Sequence, residues 1–307
     1  MKLNFAKIRN FYHLCCLDEN ERQTNFRAII PYYQRPYTWS WENVEILISD
    51  FFEDYSNNAN INEEYSYFIG ALVSVFIDGN HENSDFIEII DGQQRLTTLY
   101  LMEYTKFLLM RNFVLQLISS QRIADINSGI NNLLSIMNNI FTNTKEVEDL
   151  RNFIVTDLRR YSEEDKEGNN TKKDDIINKI KNQFIEKLGL SSINYNSEDY
   201  FNDYNSNMKR FLISSNCSLR YKREKFNQNL IEYLSLIDIQ STNQSAPELK
   251  VNNVIPQNYF YNPKNKDLEN NYLLTIQCIF TKFLERVGDI NKLDSFLIME
   301  KIIEKID

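Results

Sequence analysis

Glycine is scarce in this chain, with seven residues in 307, and no GxxxxGK segment occurs. A P-loop that cradles phosphate on a glycine-rich turn is therefore excluded. Histidine is scarcer still: only His13 and His81 are present, and neither supports a Ser-His-Asp triad. The four cysteines give no spaced framework, because Cys15 and Cys16 are adjacent while Cys217 and Cys278 stand alone. That pattern excludes a disulfide scaffold, and the lack of a Cys-x-x-Cys pair excludes a zinc knuckle. No apolar run approaches the roughly 20 residues a spanning helix needs, and the start MKLNFAKIRN lacks the apolar region of a signal peptide. These absences predict a cytoplasmic protein. Basic residues are outnumbered, 34 to 43, leaving a formal net charge of −9. The surface as a whole repels a polyphosphate duplex unless cations gather locally or a partner supplies them.

What is present suffices for a large core: 42% of residues are apolar and 13% aromatic. The length and a shift in composition near residue 120 predict an α+β domain over 1–120 and a mainly helical domain over 121–307. In the first, 26–30 reads as a short extended run, and the prolines at 31 and 36 make the stretch to Trp39 a shaped loop. Ser40 caps a helix with Glu42 in its first turn and Val44, Leu47, Ile48, Phe51 and Tyr55 at helical spacing. Residues 67–77 (YFIGALVSVFI) read as a buried strand and 85–90 (DFIEII) as another, forming a hairpin. At Asp91-Gly92 the pattern switches to a helix carrying Leu99, Tyr100, Phe107, Met110 and Val114 on one stripe, thickened enough to be central. Beyond Gln121, helices are predicted around 126–141, 147–158 and 176–188, with 161–175 and 191–207 as exposed polar connections.

The segment DGQQRLTTL, Asp91 to Leu99, begins where a strand ends and a helix starts. Such a junction is an anion site: the first backbone N–H groups of a helix lack intrahelical partners, and the helix dipole adds partial positive charge. Gly92 allows close backbone approach. Arg95 brings a guanidinium suited to bidentate phosphate contact, and the hydroxyls of Thr97 and Thr98 suit phosphate oxygens or the water of a metal ion. Asp91 suits Mg2+ held through water, and either Gln93 or Gln94 suits orientation of an attacking water. The alternative is an Asp-Gly turn that merely starts a core helix. A second segment, IPYYQRPYTW from Ile30 to Trp39, groups Tyr32, Tyr33, Gln34, Arg35, Tyr37 and Trp39, a set able to stack on a base and hydrogen-bond its edge or a phosphate. Its alternative is an aromatic core corner with Arg35 in a structural ion pair.

Taken together, Ile30 to Trp39, Tyr67 to Val73 (YFxGxxV) and Ile90 to Leu99 (IDGQQRLTTL) resemble, in order, the three marks of the ParB/sulfiredoxin-like proteins that include GmrSD-type modification-dependent restriction enzymes. The resemblance covers about the first hundred residues. It implies a ParB-like domain that binds and hydrolyses a nucleoside triphosphate with Mg2+, a helical region, and often an HNH nuclease domain. By that match the nucleotide-site candidates are Gln34, Arg35, Asp91, Gly92, Gln93, Gln94 and Arg95, with Tyr33 beside them. No His-Asn-His arrangement is present to activate water beside a metal, so a complete HNH nuclease is absent. The chain is thus expected to be a GmrS-like subunit that acts on modified DNA with an HNH nuclease partner. A non-catalytic sensor of nucleotide or modified DNA that switches a nuclease is the rival reading.

Two further features stand apart. Arg220, Lys222, Arg223 and Lys225 cluster in LRYKREKF, expected as a solvated helix face, with a DNA-phosphate patch as the alternative. Glu103 falls on the apolar stripe of the central helix and is expected to pair with an arginine, since an unpaired buried carboxylate is costly.

Overall fold

The computed structural model describes residues 27–58, 70–76, 86–190, 198–242, 245–251, 269–288, 298–299 and 301–302. Residues 1–26, with His13, Cys15 and Cys16, lie outside this set, as do Tyr67 and His81.

Strand β1 (Arg27–Ile30) lies between β3 (Phe86–Asp91) and β4 (Leu219–Tyr221), parallel to both, and β2 (Val73–Phe76) pairs antiparallel with β3. The sheet order is β2-β3-β1-β4. The expected hairpin is present, but β2 is an edge strand with Val73 38% exposed, not a buried one. Its apolar run misleads because a strand buries its side chains only where another layer covers them. Alternation sets the faces: Ala28 and Ile30 of β1, Ile87 and Ile89 of β3, and Leu219 and Tyr221 of β4 are all buried. Because these three strands run the same way, their carboxyl ends share one edge. Ligands of parallel sheets bind at such edges.

Helix α1 (Trp41–Asn58) follows the shaped loop and buries Val44, Ile48 and Phe52. Ser40 donates its N–H and its hydroxyl to Asn43 Oδ1, each at 3.2 Å, in place of the expected acceptor cap. Helix α2 (Gln93–Ser119) leaves β3 after Gly92, and 22 of its 27 residues are buried. A helix covered on all sides loses the one-sided stripe of a surface helix, so it is central, as its sequence predicts. Helices α3 (Ile123–Ile140), α4 (Lys145–Lys166) and α5 (Asn170–Lys187) match the expected helical segments.

Both polar connections expected there are shorter than their composition suggests. α4 and α5 are separated only by 167–169, because Asn169 accepts from Lys172 N–H, while Lys172 pairs with Glu164 at 3.2 Å and Lys173 with Asp165 at 2.6 Å. Paired charges on adjoining helices made the segment look like solvated coil. Helix α6 (Glu198–Ser215) takes up most of the second stretch, with Tyr204 buried and its hydroxyl donating to the Ile237 carbonyl at 2.7 Å. LRYKREKF is not one helix face: Leu219 and Tyr221 belong to β4, and α7 (Glu224–Ser235) starts only after the cationic turn. The period-two burial of Leu219 and Tyr221 was the available signal, too short to stand out.

Strands β5 (Ile237–Thr242) and β6 (Ser245–Val251) form an antiparallel pair, and α8 (Glu269–Val287) packs on α1 and α2, with Phe283 edge-on to Phe52 at 5.3 Å. Residue 120 falls in the tight turn between α2 and α3. Packing crosses it, since β4 completes the sheet begun by β1 and one hydrophobic core runs from Ala28 to Ile302.

Candidate functional site at the carboxyl edge of the sheet

The loop after β1 and the start of α2 meet at this edge, about sixty positions apart in sequence yet laced by side-chain hydrogen bonds. Gln34 Nε2 donates to the Ile90 carbonyl at 2.5 Å, and Gln93 Nε2 to the Arg35 carbonyl at 2.6 Å. Gln94 is used at both ends, donating to the Pro36 carbonyl at 3.0 Å and accepting from Thr38 N–H at 2.8 Å. Pro36 lacks an N–H and fixes its own φ, so the loop cannot close on itself as regular structure, and its carbonyls stay available to the glutamines.

Tyr37 anchors the loop from beneath. Its buried hydroxyl bonds Thr98 at 2.8 Å and Thr275 of α8 at 2.9 Å, and its ring stacks on Tyr272 at 5.4 Å. Burial pushes the Tyr37 phenol well above its ordinary value, only partly offset by Thr275 and Thr98. Tyr32 and Tyr33, by contrast, are 62% and 65% exposed. The aromatic loop is therefore a core corner at Tyr37 and an open surface at Tyr32 and Tyr33.

At the helix start, Gly92 sits at φ +86°, and a Cβ there would press on Leu72 Cδ1 and the Ala71 carbonyl, so the position requires glycine. No side chain caps α2. The first N–H groups of a helix lack intrahelical partners, and here they belong to the buried Gln93 and Gln94 and the half-buried Arg95, next to the exposed Asp91. Arg95 is half-buried and lies over Gly70, with Nη2 donating to the Ala71 carbonyl at 2.8 Å. Arg35 is exposed and has no ion-pair partner among the described residues, so the structural ion pair offered as its alternative is not found there. Gln93 is 6% exposed, and its Oε1 is a buried acceptor without a hydrogen-bond partner among the described residues. A buried polar atom left unsatisfied costs stability, so one at a helix start marks a place where a water or ligand hydroxyl fits.

Thr97 and Thr98 are not part of this surface. Both are buried, at 1% and 0% exposure; Thr97 bonds the Tyr221 hydroxyl at 3.3 Å, and Thr98 bonds Tyr37 and the Gln94 carbonyl. One turn into the helix, these positions face the core, so their hydroxyls position the site from within. Gln34, Gln93 and Gln94 are joined to the opposite segment by the hydrogen bonds above, with Asp91, Gly92 and Arg95 adjoining them in sequence, while Tyr33 and the Arg35 side chain lie on the exposed part of the loop. Among the described residues no group of three His, Cys, Asp or Glu is placed to hold a metal ion. A depression of about 230 Å³ lies elsewhere, on the α3–α4 connection between Asn138, Thr144 and Glu148, and none of the site residues lines it.

Three participants were not singled out from sequence: Gly70 and Ala71, which cradle Arg95, and Tyr221, which holds Thr97. Gly70 alone carried a signal, as the glycine of YFIGALV. Glu103, expected to pair with an arginine, instead pairs with Lys106 at 2.7 Å and accepts from Asn139 at 3.1 Å. One turn along the same helix face is a nearer source of positive charge than another element.

A long buried helix that starts at the carboxyl edge of a mixed sheet, with a proline-fixed loop laced to its first turn, defines an α+β protein. The family described as GmrSD restriction endonuclease, N-terminal domain, matches residues 16–306, and the chain belongs to that family. No curated protein and no solved structure shows a significant match to it. Among the described residues no helix is long and apolar enough to cross a membrane.

Proposed function

We propose that this component of a DNA restriction and anti-phage system binds a nucleoside triphosphate on a ParB/sulfiredoxin-like core and hydrolyses it. The observation that carries the reading is the unpartnered Gln93 Oε1 beside the uncapped start of α2. Phosphate oxygens meet the first N–H groups of the helix, and the guanidinium groups of Arg95 and Arg35 offset their charge. Tyr33 offers an exposed ring to the base, and Gln34 fixes the loop that carries it. Gln93 accepts a hydrogen bond from the attacking water, whereas Gln94 is occupied at both ends and braces the loop. Asp91 would hold Mg2+, which supplies charge neutralisation at the phosphates when bound. One carboxylate fits that ion, because Mg2+ keeps its waters and takes its remaining ligands from phosphate.

DNA cleavage belongs to an HNH nuclease partner, and the DNA acted on is modified DNA. The rival is a non-catalytic sensor that binds nucleotide and switches the nuclease. The deciding experiment measures phosphate release by the purified chain with Mg2+ and each of the four triphosphates. Multiple turnovers that fall with Gln93→Ala support hydrolysis. Binding without turnover selects the sensor, and no binding of any triphosphate overturns both. The lone chain leaves glucosylated, phosphorothioated and plain plasmids uncut.

A further inference from the structure

Beside the helix start, the turn after β4 carries exposed cations that nucleotide binding leaves unused. The Lys222 N–H donates to the Ile30 carbonyl at 2.9 Å, fixing this turn next to the aromatic loop, and the Lys222 ammonium pairs with Glu88 at 2.6 Å. Arg223 follows and is exposed: its Nε donates to the Tyr32 carbonyl at 2.9 Å, and its guanidinium lies 5.3 Å from the Phe226 ring centroid. Lys225 is exposed and makes no hydrogen bond or ion pair among the described residues, and Arg223 has no ion pair there either. Glu224 between them accepts from Gln228 at 3.3 Å. Tyr32, 62% exposed, is tied to the same turn through its backbone carbonyl.

On a chain of net charge −9, a guanidinium held at two points, a free ammonium and an open phenol ring gather on residues far apart in sequence. Lys222 has its carboxylate partner in Glu88, whereas Arg223 and Lys225 have none among the described residues. A fixed guanidinium matches the geometry of a phosphodiester, an ammonium adds a point charge, and a tyrosine hydroxyl or ring contacts sugar, phosphate or base. We propose that residues 222–225, with Tyr32, form a contact surface for the DNA phosphate backbone. DNA contact thereby falls at the carboxyl edge of the sheet, within the region 121–307, on the LRYKREKF cations for which the sequence offers a DNA-phosphate patch as the alternative to a solvated face. The proposal does not depend on nucleotide binding or hydrolysis.

The test is fluorescence anisotropy of a short labelled DNA duplex with the full chain over a range of salt concentrations. The variant Arg223→Gln/Lys225→Gln is expected to bind about tenfold more weakly or worse, with the slope of log affinity against log salt reduced by about two. Tyr32→Ala weakens binding at an unchanged slope. Unaltered affinity and slope in the double variant would overturn the proposal, as would no duplex binding by the unaltered chain at low salt. If the double variant melts early, Lys225→Gln alone decides, with a slope change of about one expected. Triphosphate titration of Lys225→Gln separates this surface from the nucleotide site, because that affinity stays unchanged.

Discussion

Helix α2 buries polar side chains at its start, from Gln93 to Thr98, and again in its middle, from Glu103 to Arg111, and it treats them differently. In the middle, the charges close on one another. Glu103 meets Lys106 and Asn139, while Arg111 meets Asp238 of β5 at 2.6 Å, with the Tyr204 ring 5.6 Å away. At the start, Gln94, Thr97 and Thr98 are similarly enclosed, but Gln93 keeps an unpartnered acceptor and the first turn has no cap. Burial by itself therefore does not separate structural from functional polar groups. Along this helix the two regions differ in the completeness of their partners, since a satisfied network rigidifies while an unsatisfied atom is kept at a cost.

The broadest way to break both regions at once is alkali. Burial holds the Tyr37, Tyr104, Tyr221 and Tyr272 phenols above the ordinary value of 10.0, and each adjoins one region or the other. A phenol raised in the folded state keeps its full contribution below the unfolded value and loses it as pH rises toward the folded one. Stability should therefore hold to about pH 10 and then fall by up to about 1.4 kcal/mol per phenol per pH unit. Absorbance of phenolate near 295 nm, followed with circular dichroism, should show these rings titrating only as the chain unfolds.

Asp238→Ala sharpens the comparison from the middle. It leaves the Arg111 guanidinium buried and unpaired, and should cost about 3–5 kcal/mol in denaturant unfolding. Triphosphate affinity of the folded fraction should not change.

Arg95→Ala does the reverse. It should weaken triphosphate binding by roughly tenfold to a hundredfold in calorimetric titration, the worth of about 1.5–3 kcal/mol for a charged hydrogen bond, with little loss of stability. A folded variant with unchanged affinity would end the phosphate role.

The smallest effect divides the paired glutamines. Gln94→Ala strands the Pro36 carbonyl and the Thr38 N–H, and should cost about 1–3 kcal/mol of stability. Gln93→Ala strands only the Arg35 carbonyl, and should act chiefly on turnover, read as kcat at saturating triphosphate. Equal effects of the two on both measurements would erase the distinction drawn from their partners.

Much of this was legible before any fold. The strand-to-helix switch at Asp91-Gly92, the central helix, the hairpin and the shaped loop all follow from local pattern, because proline, glycine and apolar period act over a few residues. The first two segments of the site were legible too, as concentrations of unusual residue types. Tertiary structure alone decided that β4, read from LRYKREKF as a helix face, pairs beside β1, since three residues carry too little periodicity to declare a strand. It also decided the partner of Glu103 and the inward turn of Thr97 and Thr98, which depend on what surrounds a helix and not on the helix itself. Above all it brought three strand ends from the 30s, 90s and 220s to one edge. The amino-acid sequence specified the chemistry each end carries, but their shared edge comes from parallel pairing between distant strands, a long-range contact that no local pattern encodes.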